Sequence, residues 1–321
     1  MPTAKKQTPT KKQSRPGRPG GRPPGVATVK PATLRDWVAG ARLRTLPLAI
    51  APVALGTGIA YTLGDGGWHW VRALLCLAVA LGLQVAVNYA NDYSDGVRGT
   101  DAVRVGPGRL TGSGKARPRT VLVVALVFFG LAALAGLALV VLSEQWILLV
   151  VGAAAIVAGW FYTGGRHPYG YYGLGEVFVF VFFGLVATVG TTFVQVGQVT
   201  LDGWLAGTAI GLIACAVLMV NNIRDIDQDR LAGKRTLAVL IGNLPARIVF
   251  AVLLTAPFAI LVYFVLLYVN AGYVYFALLA AVPAIIITLT GRTPAELITA
   301  LQLTTLTALL YGVGLAVAIA F

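Results

Sequence analysis

The chain has 321 residues, 57% of them hydrophobic and only 12% charged, with 25 Lys and Arg against 12 Asp and Glu for a net charge of +13. That composition excludes a water-soluble globular protein and points to a chain that lives in lipid. The excess of basic residues says more about membrane topology than about a polyanionic macromolecular partner.

Residues 1–32 hold eight Lys and Arg, no acid, and many Pro and Gly, which predicts a disordered basic tail unable to pack a core. The tail has no apolar h-region of a cleavable signal. It also lacks the interleaved aromatics of a nucleic-acid binder, so no nucleic acid is expected as a partner. Residues 33–321 are expected to form one transmembrane domain.

Nine apolar runs follow, near 45–64, 71–91, 120–142, 145–162, 174–196, 204–222, 246–269, 273–290 and 298–320. Each approaches the roughly 20 residues a bilayer-spanning helix needs, and alternating strands of about 10 residues are missing. The expected fold class is all-α, a polytopic bundle of nine transmembrane helices. With the N-terminus in the cytoplasm, the tail and the connections after runs 2, 4, 6 and 8 carry every Lys and Arg except Arg72. The opposite connections carry Asp65, Glu144 and Asp202. This positive-inside pattern predicts a multi-pass protein of the cell membrane with its N-terminus cytoplasmic. Cys76 and Cys215 fall inside apolar runs and read as small core residues.

Two of the runs end in acidic clusters. After the second come Asn88, Asn91, Asp92 and Asp95, with Asp101 beyond; after the sixth come Asn221, Asn222, Asp225, Asp227 and Asp229. These six aspartates are half of the 12 acids in the chain. Asn88, Asn91 and Asp95 superpose on Asn222, Asp225 and Asp229 with an offset of 134 residues. The i, i+3, i+7 spacing predicts one helix face for each trio. Four runs intervene, so both clusters end on the cytoplasmic side as pseudo-equivalent halves that can converge on one cavity.

Paired carboxylates facing a basic loop suit Mg²⁺, a hard ion held by one or two carboxylates plus substrate phosphates. Asn91 and Asn222 can add amide oxygens or orient the acids. Glycine-rich loops with cations follow both clusters, Gly106 to Lys115 and Gly233 to Thr236. Arg109, Lys234 and Arg235 are each close to a cluster and in a glycine context, which sets them above the other loop cations. Neither loop has Walker A spacing. A transporter for an anionic solute is the rival class. The polar residues gather on one side with no matching outer gate, which argues against it.

At these positions the chain resembles the UbiA superfamily of intramembrane aromatic prenyltransferases, most closely its members that prenylate 1,4-dihydroxy-2-naphthoate in menaquinone synthesis. The resemblance rests on Arg42 to Pro47, the run from Asn88 to Asp101, Gly106 to Thr111, Tyr162 to Glu176, and Asn221 to Ala238. It covers the chain from about Arg42 to the ninth run. It implies a Mg²⁺-dependent transferase that joins a polyprenyl group from polyprenyl diphosphate to 1,4-dihydroxy-2-naphthoate, releasing CO2 and diphosphate. Another aromatic acceptor is the alternative within the superfamily.

On this resemblance Asp92, Asp95, Asp225 and Asp229, with Asn91, are expected to hold Mg²⁺. Lys234, Arg109 and Arg235 are expected on the departing diphosphate. Arg42, Arg44 and Arg166 are candidates for the acceptor's carboxylate. Asn88, Asn222, Tyr162 and Glu176 are further substrate-site candidates, Glu176 either as a proton acceptor or as a partner of a loop cation. Tyr162, Tyr169 and Tyr171 could each line the pocket or sit in an interfacial aromatic belt. Asp101 and Asp227 fit the motifs but need not join the metal-binding face.

Overall fold

In a bilayer every backbone N–H and C=O must find a partner within the chain, and a helix supplies those partners segment by segment. The computed structural model describes residues 30–64, 69–100 and 109–321. The tail expected over 1–32 lies almost wholly outside them, as do Asp101 and Gly106 to Gly108. All regular structure among the described residues is helical.

The elements are α1 (Leu34–Gly40), α2 (Pro47–Leu63), α3 (Trp70–Arg98), α4 (Pro118–Ser143), α5 (Ile147–Phe161) and α6 (Gly175–Val196). They continue as α7 (Leu201–Arg224), α8 (Ile226–Leu231), α9 (Leu237–Ile241), α10 (Asn243–Leu267), α11 (Ala271–Thr290) and α12 (Pro294–Ala320). Local signals set several ends. Thr33 with Asp36 and Thr293 with Glu296 form capping boxes. Pro47, Pro118 and Pro294 open helices where a missing N–H costs nothing. The continuous first motif stops at Gly99, whose left-handed φ of 74° favours glycine.

The nine apolar runs all become helical, but length separates them. Seven helices among the described residues are long and apolar enough to cross a membrane. An eighth span requires joining Leu34–Thr45 to α2 across a 47° bend. The ninth, α5, has 15 residues, about 22 Å of helix against a hydrocarbon core of about 30 Å. The expected helical bundle stands, while helix length and composition among the described residues account by themselves for seven spans, or eight with the bent pair.

α7 is the central helix, with Ile210, Ile213, Ala214, Ala216 and Met219 fully buried against α2, α6, α10 and α12. Close approach is made by glycine. A Cβ on Gly184 of α6 would lie 2.5 Å from the Gly211 Cα of α7, the small-residue contact by which membrane helices pack. α6 carries a π-helical stretch, Phe180–Val186, at this crossing. At the end of the bundle opposite the acidic clusters, Trp70, Trp146 and Trp204 are exposed at helix starts, as an interfacial belt requires. Arg72, the one Lys or Arg on that side among the described residues, donates to the carbonyls of Val194 (3.0 Å), Gln195 (3.3 Å) and Leu142 (2.5 Å). It holds the C-terminal ends of α4 and α6, where a cation also meets the helix dipole favourably.

Candidate active site between the two acidic motifs

Both motifs end helices on the same side of the bundle, and a cavity of about 100 Å³ lies between them. From the first motif, α3 contributes Asn91 and Asp95 to its wall. Asp95 is nearly sequestered from solvent, with its side chain 2% exposed. Its Oδ2 accepts from Arg109 Nη1 at 2.7 Å and Lys234 Nζ at 3.2 Å, and its Oδ1 accepts from the Tyr171 hydroxyl. A buried carboxylate is stable only when paired and hydrogen-bonded, and Asp95 has three donors. Burial first, and then the Asp95 charge, push the Tyr171 phenol well above its ordinary value, so it stays protonated and donating. Lys234 Nζ also lies 4.8 Å from the Tyr171 ring centre. The Asn91 Oδ1 accepts from Thr163 Oγ1 at 2.5 Å, and its carbonyl accepts from Arg109 at 2.7 Å.

The second motif is built differently. α7 stops at Arg224, and Asp225 caps it with φ −99° and ψ 9° before α8 begins. The single helix face expected for Asn222, Asp225 and Asp229 is therefore interrupted, although Asp229 N–H still bonds the Asp225 carbonyl at 2.8 Å. All three residues line the cavity, with Asn221 and Arg224 beside them. Arg224 grips Asp225 in a two-pronged pair at 2.8 and 2.7 Å. Lys234 reaches Asp229 at 3.8 Å as well as Asp95. One ammonium therefore bridges the two halves that the 134-residue offset relates.

Of the remaining expected residues, Arg42 and Tyr162 line the cavity. Arg42 does so from a left-handed turn, φ 55° and ψ 54°, a costly conformation for a side chain of this size. Six others are placed elsewhere. Asp92, expected on the metal, is 3% exposed and accepts the backbone N–H groups of Leu110 and Thr111, both at 2.8 Å. Asn88 donates to the Ala41 carbonyl at 3.0 Å. Arg44 and Arg166 are exposed and do not line the cavity. Arg235 is also exposed, while its backbone N–H holds the Tyr171 carbonyl at 2.8 Å. Glu176 sits behind the wall, where its Oε1 accepts from Asn222 Nδ2 at 3.0 Å. Asp227 is exposed and does not line the cavity.

Sequence reasoning did not select Thr163, Asn221, Arg224 or Thr236, all on the cavity wall, and left Tyr171, also on the wall, open between pocket and belt. Asn221 and Arg224 stood inside the second motif and could have been chosen for that. Thr163 and Thr236 lay inside stretches that carry the resemblance, but as uncharged residues they were not chosen for the site. Tyr171 is no belt residue, and Tyr169 is packed inside, donating to the Ala158 carbonyl at 2.8 Å and stacked on Phe178.

No three His, Cys, Asp or Glu among the described residues stand close enough to form a metal cage by themselves. The donors that line the cavity are nonetheless all hard oxygens, from Asn91, Asp95, Asp225 and Asp229. They alternate with Arg42, Arg109, Arg224 and Lys234. That mixture fits a hard divalent ion whose coordination is completed by phosphate oxygens rather than by protein alone.

Comparison with known proteins bears on the same region. The UbiA prenyltransferase family model matches residues 49–292. A 1,4-dihydroxy-2-naphthoate octaprenyltransferase of Mycobacterium tuberculosis is 46% identical over 304 residues, covering 90% of this chain and 98% of that one. The protein of the same name from Escherichia coli is 38% identical over 251 residues, 76% of this chain and 81% of its own. Among solved structures, a UbiA homolog from Aeropyrum pernix aligns with a TM-score of 0.63 at 16% identity, over 84% of this chain and 95% of that one. A UbiA homolog from Archaeoglobus fulgidus bound to GPP and Mg²⁺ gives 0.62 at 15% identity, over 88% and 99%. At such identities the two structures speak for the fold.

Proposed function

Because the chain belongs to the UbiA prenyltransferase family, we propose that it transfers a polyprenyl group from polyprenyl diphosphate to 1,4-dihydroxy-2-naphthoate, releasing diphosphate and CO2 and giving demethylmenaquinol. The observation that carries this reading is the meeting of Asp95 and Asp229 across Lys234, in a cavity that also holds Arg42 and Arg109. The acceptor follows from the names of the relatives, and Mg²⁺ from the donor set together with the Archaeoglobus fulgidus homolog's title.

The cavity suits an ionisation. Arg109 and Lys234 are held in place by Asp95 and aimed where charge grows on the leaving diphosphate, so little reorganisation is needed when the C–O bond breaks. Mg²⁺, held by Asn91, Asp95, Asp225 and Asp229, would neutralise the diphosphate and make it a better leaving group. The electron-rich ring carbon attacks C1 of the allylic group. The ring's carboxylate then departs as CO2, leaving its electron pair to restore aromaticity. Arg42 is the acceptor's cation, the one of the three candidate arginines that lines the cavity. Tyr162, Tyr171 and Leu218 give the cavity wall its apolar and π surface, which an allylic cation needs. The active site and the N-terminus face the cytoplasm, by the distribution of Lys and Arg.

Membranes containing the protein, supplied with a polyprenyl diphosphate, Mg²⁺ and 1,4-dihydroxy-2-naphthoate, should release CO2 and form a prenylated quinol, and EDTA should stop both. Absence of product, or indifference to EDTA, sinks the proposal.

A further inference from the structure

Three side chains of α3, Gln84, Asn88 and Asp92, recur every fourth residue and form one stripe beside the pair Asn91 and Asp95 that enters the cavity. None of the three lines the cavity. Each is at least nine-tenths buried, and each bonds backbone from outside the helix through its side chain. Gln84 donates to the Thr45 carbonyl at 2.5 Å and Asn88 to the Ala41 carbonyl at 3.0 Å. One residue along, Tyr89 donates to the Trp37 carbonyl at 2.6 Å. These acceptors flank the left-handed turn at Arg42. Asp92 takes the consecutive N–H groups of Leu110 and Thr111, the residues next to Arg109. Consecutive backbone N–H groups make an anion-binding nest, and here the protein's own carboxylate fills it.

The two docked segments also touch α3 where only glycine fits. A Cβ on Gly96 would stand 2.4 Å from Thr111 Cγ2, and one on Gly40 would stand 2.9 Å from the Tyr89 ring.

We propose that this stripe is a positioning rack: Asn88 and Gln84 fix the turn that presents Arg42 to the cavity, and Asp92 fixes the loop that presents Arg109. The first motif then has two jobs on adjacent faces of one helix. Asn91 and Asp95 face the ligand, while Asp92 acts through Arg109 and is not a metal ligand. A left-handed Arg turn persists only when its surroundings over-determine it, and the two amide bonds supply that restraint. Asp92→Asn would leave one backbone N–H facing an amide donor in place of an oxygen, loosening the Arg109 loop without emptying the cavity of acids.

The inference rests on the diphosphate reading of the cavity, so the test uses inorganic pyrophosphate with Mg²⁺, bound by the full chain in detergent and followed by calorimetry. Asp92→Asn should weaken pyrophosphate about tenfold while the Mg²⁺ concentration for half-maximal binding stays within about twofold of wild type. Asp92→Asn added to Arg109→Ala should cost nothing more than Arg109→Ala alone, since residues acting through one another are non-additive. A shift in the Mg²⁺ requirement of about tenfold, matching that of Asp229→Asn, would make Asp92 a metal ligand and overturn the rack. So would independent, additive losses. Should Asp92→Asn fail to give a monodisperse protein, Asn88→Ala carries the test: an acceptor KM raised about fivefold with kcat nearly unchanged, and no further rise in an Arg42→Ala background. Additivity there refutes the Arg42 arm. A wild-type chain that binds no pyrophosphate refutes the diphosphate reading itself, a result separable from either variant's behaviour.

Discussion

The two acidic motifs share a spacing and differ in how they are held. The first ends an unbroken helix, and its Asp95, 2% exposed, is bound by an arginine, a lysine and a tyrosine. The second straddles the break between α7 and α8, and the side chains of Asp225 and Asp229 remain 16% and 14% exposed. Equivalent positions in a duplicated sequence have thus become a rigid half and an open half. Burial makes the first half part of the fold's own electrostatics. Exposure leaves the second half accessible to an arriving ion.

The sharpest test of that contrast is a matched pair. Asp95→Asn strands two cations in a buried place, which should cost about 3 kcal/mol of stability in addition to at least about a thousandfold of activity. Asp229→Asn should lose about a hundredfold of activity with stability changed by less than about 1 kcal/mol. Equal unfolding midpoints for the two variants would erase the distinction between the halves. Lys234→Met comes next. It removes the ammonium that bridges Asp95 and Asp229, and should lower kcat by about a hundredfold as charge on the leaving group goes uncompensated. Unchanged turnover would mean the halves cooperate through something else.

Tyr171→Phe should have a smaller effect, a loss of about 1 kcal/mol in stability and a few-fold in rate. Because burial and Asp95 raise the phenol's pKa above its ordinary value, its bond is fully present below the unfolded value of about 10 and fades only as pH rises beyond it. The variant should therefore differ from wild type by a constant amount between about pH 6 and 9 and converge with it above; a difference that titrates near neutrality would contradict this. Asp227→Asn marks the lower limit. Its side chain is 79% exposed and lies 3.7 Å from Arg230, so activity should hold and stability should move by at most a few tenths of a kcal/mol. A large loss would show that the open half extends further than Asp225 and Asp229.

The sequence by itself determined where the helices run, which two of them end in acid, and that those ends lie on the same side. Each of these is a one-dimensional property, set by apolar length, by charge asymmetry across the connections and by the parity of intervening spans. Even the convergence of the motifs was legible, since a 134-residue offset with four helices between leaves few other arrangements. Tertiary structure decided which side chain of each cluster faces the cavity. Asp92 and Asp95 are three residues apart, yet one meets backbone and the other meets cations, because the docked segment from Leu110 covers one side of α3 and leaves the next side open. Arg42 and Arg44 are separated by one residue, and a left-handed turn sends only the first inward. Arg235 was chosen for its nearness to the acids in sequence, but it gives the site only a backbone bond to Tyr171. Side-chain direction around a helix or turn has meaning only relative to what packs against it, and those neighbours lie tens of residues away in the chain.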